Sequence, residues 1–232
     1  MKTISRSLAA AGIALLGWAG TAEAAPVTAD FIGSTGVIFP GVGLDLDLGG
    51  GLSVRVTAHT HSDGAGAPFD SVVETNLHRD GEGVGVQDNN ADSPDLDGSG
   101  TRDLLRFTFN KSVTLLTVLF ENAENNDEFD MSVDDVDLNI SALLGNDDID
   151  DLPEGGFGDD SNLADFTGDG LVGTVFDFYT DDVGDSYRIR AMTVEAGDGG
   201  GGSDVPAPPA LPLLGIGLAG LGLALGKKGW QK

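Results

Sequence analysis

The chain contains no cysteine. That absence excludes a disulfide framework, a thiol nucleophile and any cysteine-ligated metal centre. Positive charge is scarce too: 12 Lys and Arg stand against 38 Asp and Glu, a formal net charge of −26 at pH 7. Such a field makes nucleic acid and anionic membrane surfaces poor partners. Aromatic residues make up only 6% of the chain, and both tryptophans, Trp18 and Trp230, lie near the termini. Helical periodicity over a useful length is missing. So are the nucleophile elbow, the paired-histidine zinc motif and the phosphate-cradling loop, and the chain is therefore read as non-enzymatic. A glycosidase-like pair of carboxylates can be drawn anywhere in so acidic a sequence and carries little weight.

Apolar runs concentrate at the two ends. Lys2 and Arg6 precede a stretch rich in leucine and alanine between Leu8 and Gly20, and Ala22 and Ala24 flank Glu23. A positive start, a short apolar segment and a small-x-small site are the parts of a secretory signal peptide, expected to span residues 1–24 and to be cut after Ala24. At the far end, residues 207–226 are free of charge and reach roughly the 20 residues a helix needs to cross a bilayer. Lys227, Lys228 and Lys232 follow, which predicts a cytoplasmic tail and an exported body. Residues 197–204 form a Gly-rich linker ahead of this segment.

Between the ends, residues 25–204 carry 37 acidic and 7 basic side chains, a net charge of −30. Period-two alternation over residues 44–48, 52–58, 105–109, 136–140 and 187–194 predicts strands. Residues 113–120 are more continuously apolar, as in a strand covered on both faces. Gly, Asn, Asp and Pro clusters punctuate these segments. The expectation is an all-β chain with a single β-sandwich domain over residues 25–196, of jelly-roll type, with a large closed barrel as the alternative.

Val205, Pro206, Ala207 and Pro208, then the Gly-rich apolar segment and the terminal lysines, resemble the PEP-CTERM sorting signal in its VPLPA-type variant. The resemblance covers about the last 28 residues. Ala207 stands where that motif has Glu, and lysines replace its arginine cluster. It implies an exported protein of Gram-negative bacteria, recognised by an exosortase-type enzyme and linked to exopolysaccharide or biofilm matrix. A second stretch, from Gly83 through Val86, Asp88 to Asp92, and Asp95 to Phe109, is similar to a block common in those proteins. That similarity implies a glycine-valine turn before an acidic loop, within a β-sandwich module. Asn126 to Met131 fits the same pattern.

Calcium is the cofactor this acidic block suggests, because hard cations take several oxygen ligands from Asp and Asn in Gly-containing loops. The candidate ligands are Asp88, Asn90, Asp92, Asp95, Asp97 and Asp103. Asp95, Asp97, Ser99 and Gly100 match the opening of an EF-hand loop, as do Asp165, Thr167, Asp169 and Gly170. Both lack the closing carboxylate, having Arg106 and Phe176 at the twelfth place, and no flanking helices are apparent, so a true EF-hand is not expected. The competing reading is of solvated turns, which Asp and Asn favour. The run from Asp147 to Asp151 is read as a solvated loop. His59 and His61 share a strand face and form an exposed pair, with His78 as the remaining histidine.

Together these observations predict an exported, envelope- or surface-associated, non-enzymatic protein, sorted through its C-terminal segment. Its body would meet matrix polysaccharide. A calcium-dependent carbohydrate-binding module is the alternative, and a secreted hydrolase ranks last.

Overall fold

Alternating side chains give each strand one apolar face, and joining those faces produces the core. The computed structural model describes residues 24–61, 72–87, 93–98, 102–123, 127–156, 161–180 and 184–197. Within them, fourteen strands form one continuous antiparallel sheet, accompanied by one five-residue helix. The chain is all-β.

Numbering the strands in chain order, the spine is β9 (Arg102–Glu121), 20 residues long. Its first half is flanked by β4 (Leu52–His61) and β13 (Val172–Tyr179), with Phe107 opposite both Val56 and Phe176. Its second half is flanked by β14 (Ser186–Ala196) and β12 (Ser161–Asp165), with Val118 opposite Met192 and Ala164. Beyond β4 lie β3 (Leu44–Gly49) and β5 (Val72–Thr75), and beyond β13 lie β10 (Asp130–Val133) and β11 (Val136–Asp137). The far side of β14 pairs with β1 (Val27–Asp30), β7 (Val84–Val86) and β8 (Leu96–Asp97). From β7 the sheet continues through β6 (Leu77–Arg79) to the edge strand β2 (Gly36–Ile38).

The two halves share one apolar core, which makes the body sandwich-like. Phe31, just past β1, meets Phe107 at a ring separation of 5.1 Å. Phe120 meets Phe178 at 6.4 Å and Tyr187 at 5.4 Å, both nearly edge-on. Such pairs add about 0.5–1.5 kcal/mol each beyond the burial of the rings. The changeover along β9 coincides with a break of register in β13 between Gly173 and Val175. Asp134 fixes it by accepting from Thr174 N and Val175 N at 2.9 Å each, and from the Thr174 hydroxyl at 3.0 Å. An irregularity of this kind bends a strand and strengthens its twist.

Three sequence expectations change. Residues 105–109 and 113–120 belong to one strand, because Asn110 does not turn the chain. Its side-chain amide instead accepts from Ser53 N at 2.9 Å and donates to Gly51 O at 3.0 Å, tying β9 to the β3–β4 turn. Residues 136–140 are strand only at Val136–Asp137. Asn139 then caps the helix α1 (Ile140–Leu144) by accepting from Ala142 N, and Gly145, at φ 84°, closes it with a bond to Ser141 O. Finally, residues 84–86 are a buried strand, not a turn. Gly85 lies so close to the carbonyl of Pro94 that a Cβ would overlap it, and Gly83 is equally tight against Ile189 O at φ 136°. Here glycine permits close backbone approach.

Candidate functional site

The acidic block divides in two. Asp95 and the short strand β8 that follows it are buried, as is Asp103 at the start of β9. Asp95 turns toward β14, where Arg188 Nε donates to its Oδ1 at 2.5 Å and Asn122 Nδ2 adds a bond of 3.1 Å. The Ser93 hydroxyl donates to Oδ2 of the same carboxylate. Asp97 and Asp103 are linked through the main chain instead: Asp97 N donates to Asp103 Oδ2 at 3.2 Å. Asp185 lies close by, since its carbonyl accepts from Gly98 N at 3.4 Å and its carboxylate from Glu128 N at 3.2 Å. Asp127 is buried in the segment just before Glu128. Asp88, Asn90, Asp92, Ser99 and Gly100 lie outside the described residues. Among the described residues, no three His, Asp or Glu side chains gather into a metal-holding group.

Arg188 is the centre of the block, and sequence reasoning did not single it out. Besides Asp95, its Nη1 donates to Asp80 Oδ2 and Glu82 Oε2 at 2.6 Å each. His78 Nε2 completes the chain at 3.2 Å from Asp80 Oδ2. Burial alone would raise the Asp80 pKa. The hydrogen bond from Glu82 N–H and the charge of Arg188 outweigh it, and hold the carboxyl below its usual range. Burial works against the Arg188 charge as well, but Asp95, Asp80 and Glu82 raise its pKa overall. The signal available in sequence was an arginine at an alternating position of a strand, which reads as solvent-facing. The loop around Asp95 and the β6–β7 turn cover it.

The other acidic candidates are turns. Asp165 Oδ1 accepts from Thr167 N at 2.8 Å, and Asp169 N bonds Phe166 O at 3.0 Å, with Asp165, Thr167 and Asp169 all exposed. The Thr167 hydrogen bonds hold the Asp165 pKa down. In the 147–151 run, Asn146 and Asp148 cap backbone N–H groups two residues on, while Ile149 plugs into the core.

His59 is half-buried, which corrects the expectation of exposure for that member of the pair; the His61 side chain lies outside the described residues. Its Nε2 lies 2.9 Å from the Thr57 hydroxyl, while Nδ1 is buried without a hydrogen-bond partner. Burial lowers its pKa and the nearby Arg106 charge adds to that, with Glu74 and Asp177 opposing. Arg106 is held by a two-pronged bond to the buried Asp177, 2.8 Å at each prong. His78 belongs to the Arg188 network, so these two histidines do not converge.

Of the sorting and processing residues, Ala24 is the first described residue, while Ala22, Val205, Pro206, Ala207 and Pro208 lie outside. Among the described residues no helix is long and apolar enough to cross a membrane. No protein-family model, curated protein or solved structure matches this chain.

Proposed function

We propose that this is an exported, envelope- or surface-associated, non-enzymatic protein whose body is a β-sandwich of jelly-roll type. It is handed to its location by an exosortase-type enzyme acting on residues 205–232. The order of parts carries this reading: a signal peptide, a β body ending at Ala196, a Gly-rich linker, the Pro motif, an apolar segment and lysines. The charge of the body supports it, since a net −30 keeps the domain dispersed and off anionic lipid. The partners expected are matrix polysaccharide and the membrane through the C-terminal segment. Deleting residues 205–232 releases the body into the medium. Unchanged association with cells after that deletion rejects the proposal.

A calcium-dependent carbohydrate-binding module is the second reading, favoured by the burial of Asp97, Asp103 and Asp185 in segments joined by the bonds from Asp97 N to Asp103 Oδ2 and from Gly98 N to Asp185 O. Calcium would be held by Asp97 and Asp103, together with Asp88, Asn90 and Asp92, which lie outside the described residues. Asp95 fits this set poorly because Arg188 already occupies it. Calcium binding only to the folded state raises the melting temperature, and indifference to both calcium and chelator removes the site.

A further inference from the structure

The outward side of β3, β4 and β9 carries a groove of about 500 Å³. Alternation builds it: Val54, Val56, Phe107 and Phe109 point into the core, so their neighbours point out. Asp45, Arg55 and Thr108 form one row across the three strands, with Asp47 opposite Ser53 in the next. Asn110 closes that end through its bond to Ser53 N. The Asn110 amide is engaged by Ser53 and Gly51, and Arg55 by the carbonyls of Gly41 and Val42 and by Asp45 at 3.4 Å, so this concave surface offers chiefly the carboxylates of Asp45 and Asp47 and the hydroxyls of Ser53 and Thr108.

An apolar tip stands beside the groove. Phe39, Pro40, Gly41 and Val42 make a tight turn, closed by Val42 N to Phe39 O at 3.2 Å and permitted by Gly41 at φ 81°. Arg55, which lines the groove, also donates to Val42 O at 2.6 Å and Gly41 O at 3.3 Å. The turn is thereby held in place, yet Phe39 is 69% and Val42 58% exposed. A turn whose backbone is already tied needs little rearrangement when something packs on the phenyl ring it carries.

We propose that this groove and turn bind a neutral glycan. The hydroxyls of a sugar can donate to the groove's carboxylates and exchange bonds with its Ser53 and Thr108 hydroxyls, and the C–H face of a pyranose matches an exposed aromatic ring. Arg55 offsets Asp45, but Asp47 and the −30 charge of the body repel uronates and sulfated sugars, which selects for the uncharged class. Neither Asp97 nor Asp103 lines this groove, so the binding proposed requires no calcium. It rests on the matrix-facing reading only for the source of the glycan; the release experiment above is decided independently.

The test is affinity electrophoresis and calorimetry of the full chain with dextran, galactomannan and a mixed-linkage β-glucan, using alginate as the uronate control and with chelator present throughout. Retention is expected on at least one neutral glycan and not on alginate. Phe39→Ala weakens it about tenfold, by the usual worth of an aromatic contact. Thr108→Lys, at an exposed strand position, fills the groove and abolishes binding, and an unchanged melting temperature shows that both variants are folded. Failure to retain any neutral glycan, binding indifferent to both substitutions, or binding that appears only when calcium replaces the chelator overturns the proposal.

Discussion

Arg188 is the residue on which the most polar structure depends. A buried guanidinium serving Asp80, Glu82 and Asp95 cannot be removed without leaving Asp95 charged in a nearly dry site. Breaking a buried pair from one side costs about 3–5 kcal/mol. Arg188→Leu is therefore expected to lower stability by about that amount in urea unfolding, whereas Asp95→Asn costs less because Arg188 keeps Asp80 and Glu82. A loss under 1 kcal/mol for Arg188→Leu contradicts the buried-network account. Two titrations shape the acid limb of stability. The His59 pKa is lower in the folded state, so its contribution is full above about 6.5 and declines as pH falls below that value. Asp80 and Asp134 are likewise depressed, and theirs is lost only as pH falls through the carboxylate range, below about 4. Urea midpoints measured between pH 8 and 3 should show both steps, and His59→Phe should flatten the first alone. An unaltered first step in that variant assigns it to another group.

At the level of elements, alternation was the readable signal and backbone proximity was not. Residues 52–58 and 187–194 have the period of strands and are strands, extended to Leu52–His61 and Ser186–Ala196 by their neighbours. The continuity of β9 through Asn110, Lys111 and Ser112 could not be read, because residues with turn propensity are here held extended by a partner 59 positions away. The cap at Asn139 was readable in principle, since Asn followed by an apolar turn and Gly145 is a start and stop pair. The small residues of β7 were misread as a turn because nothing local reveals that Pro94 and Ile189 press against them. That packing predicts a steep response. Gly85→Ala should destabilise by about 1–3 kcal/mol, as overpacking does, although alanine is the better strand former. Calorimetry showing a gain would mean that the segment around Pro94 moves aside freely. The candidate ligands show the same limit: Asp95, Asp97 and Asp103 were legible as an acidic set, but their division depended on an arginine 93 residues beyond Asp95.

For the whole molecule, charge is the dominant variable. Thirty surplus negative charges on one body repel each other, and dissolved salt shortens the reach of that repulsion to about 10 Å at 0.1 M. Raising sodium chloride from 10 to 200 mM is expected to increase the melting temperature by several degrees without any specific site. A flat or falling profile would show that attractive pairs such as Arg106–Asp177 outweigh the bulk field. Calcium counts as a ligand only for stabilisation beyond that of sodium chloride at equal ionic strength.

The position of β14 has a mechanical consequence. It is the final described strand, it leads directly into residues 197–204, and it is flanked by β9 on one side and by β1, β7 and β8 on the other. A pull applied through those following residues enters at an interior strand of the sheet rather than at a peelable rim. Rows of hydrogen bonds on both flanks must yield before β14 can leave. A load entering from the C-terminal side is thus gripped at an interior strand and spread across the sheet.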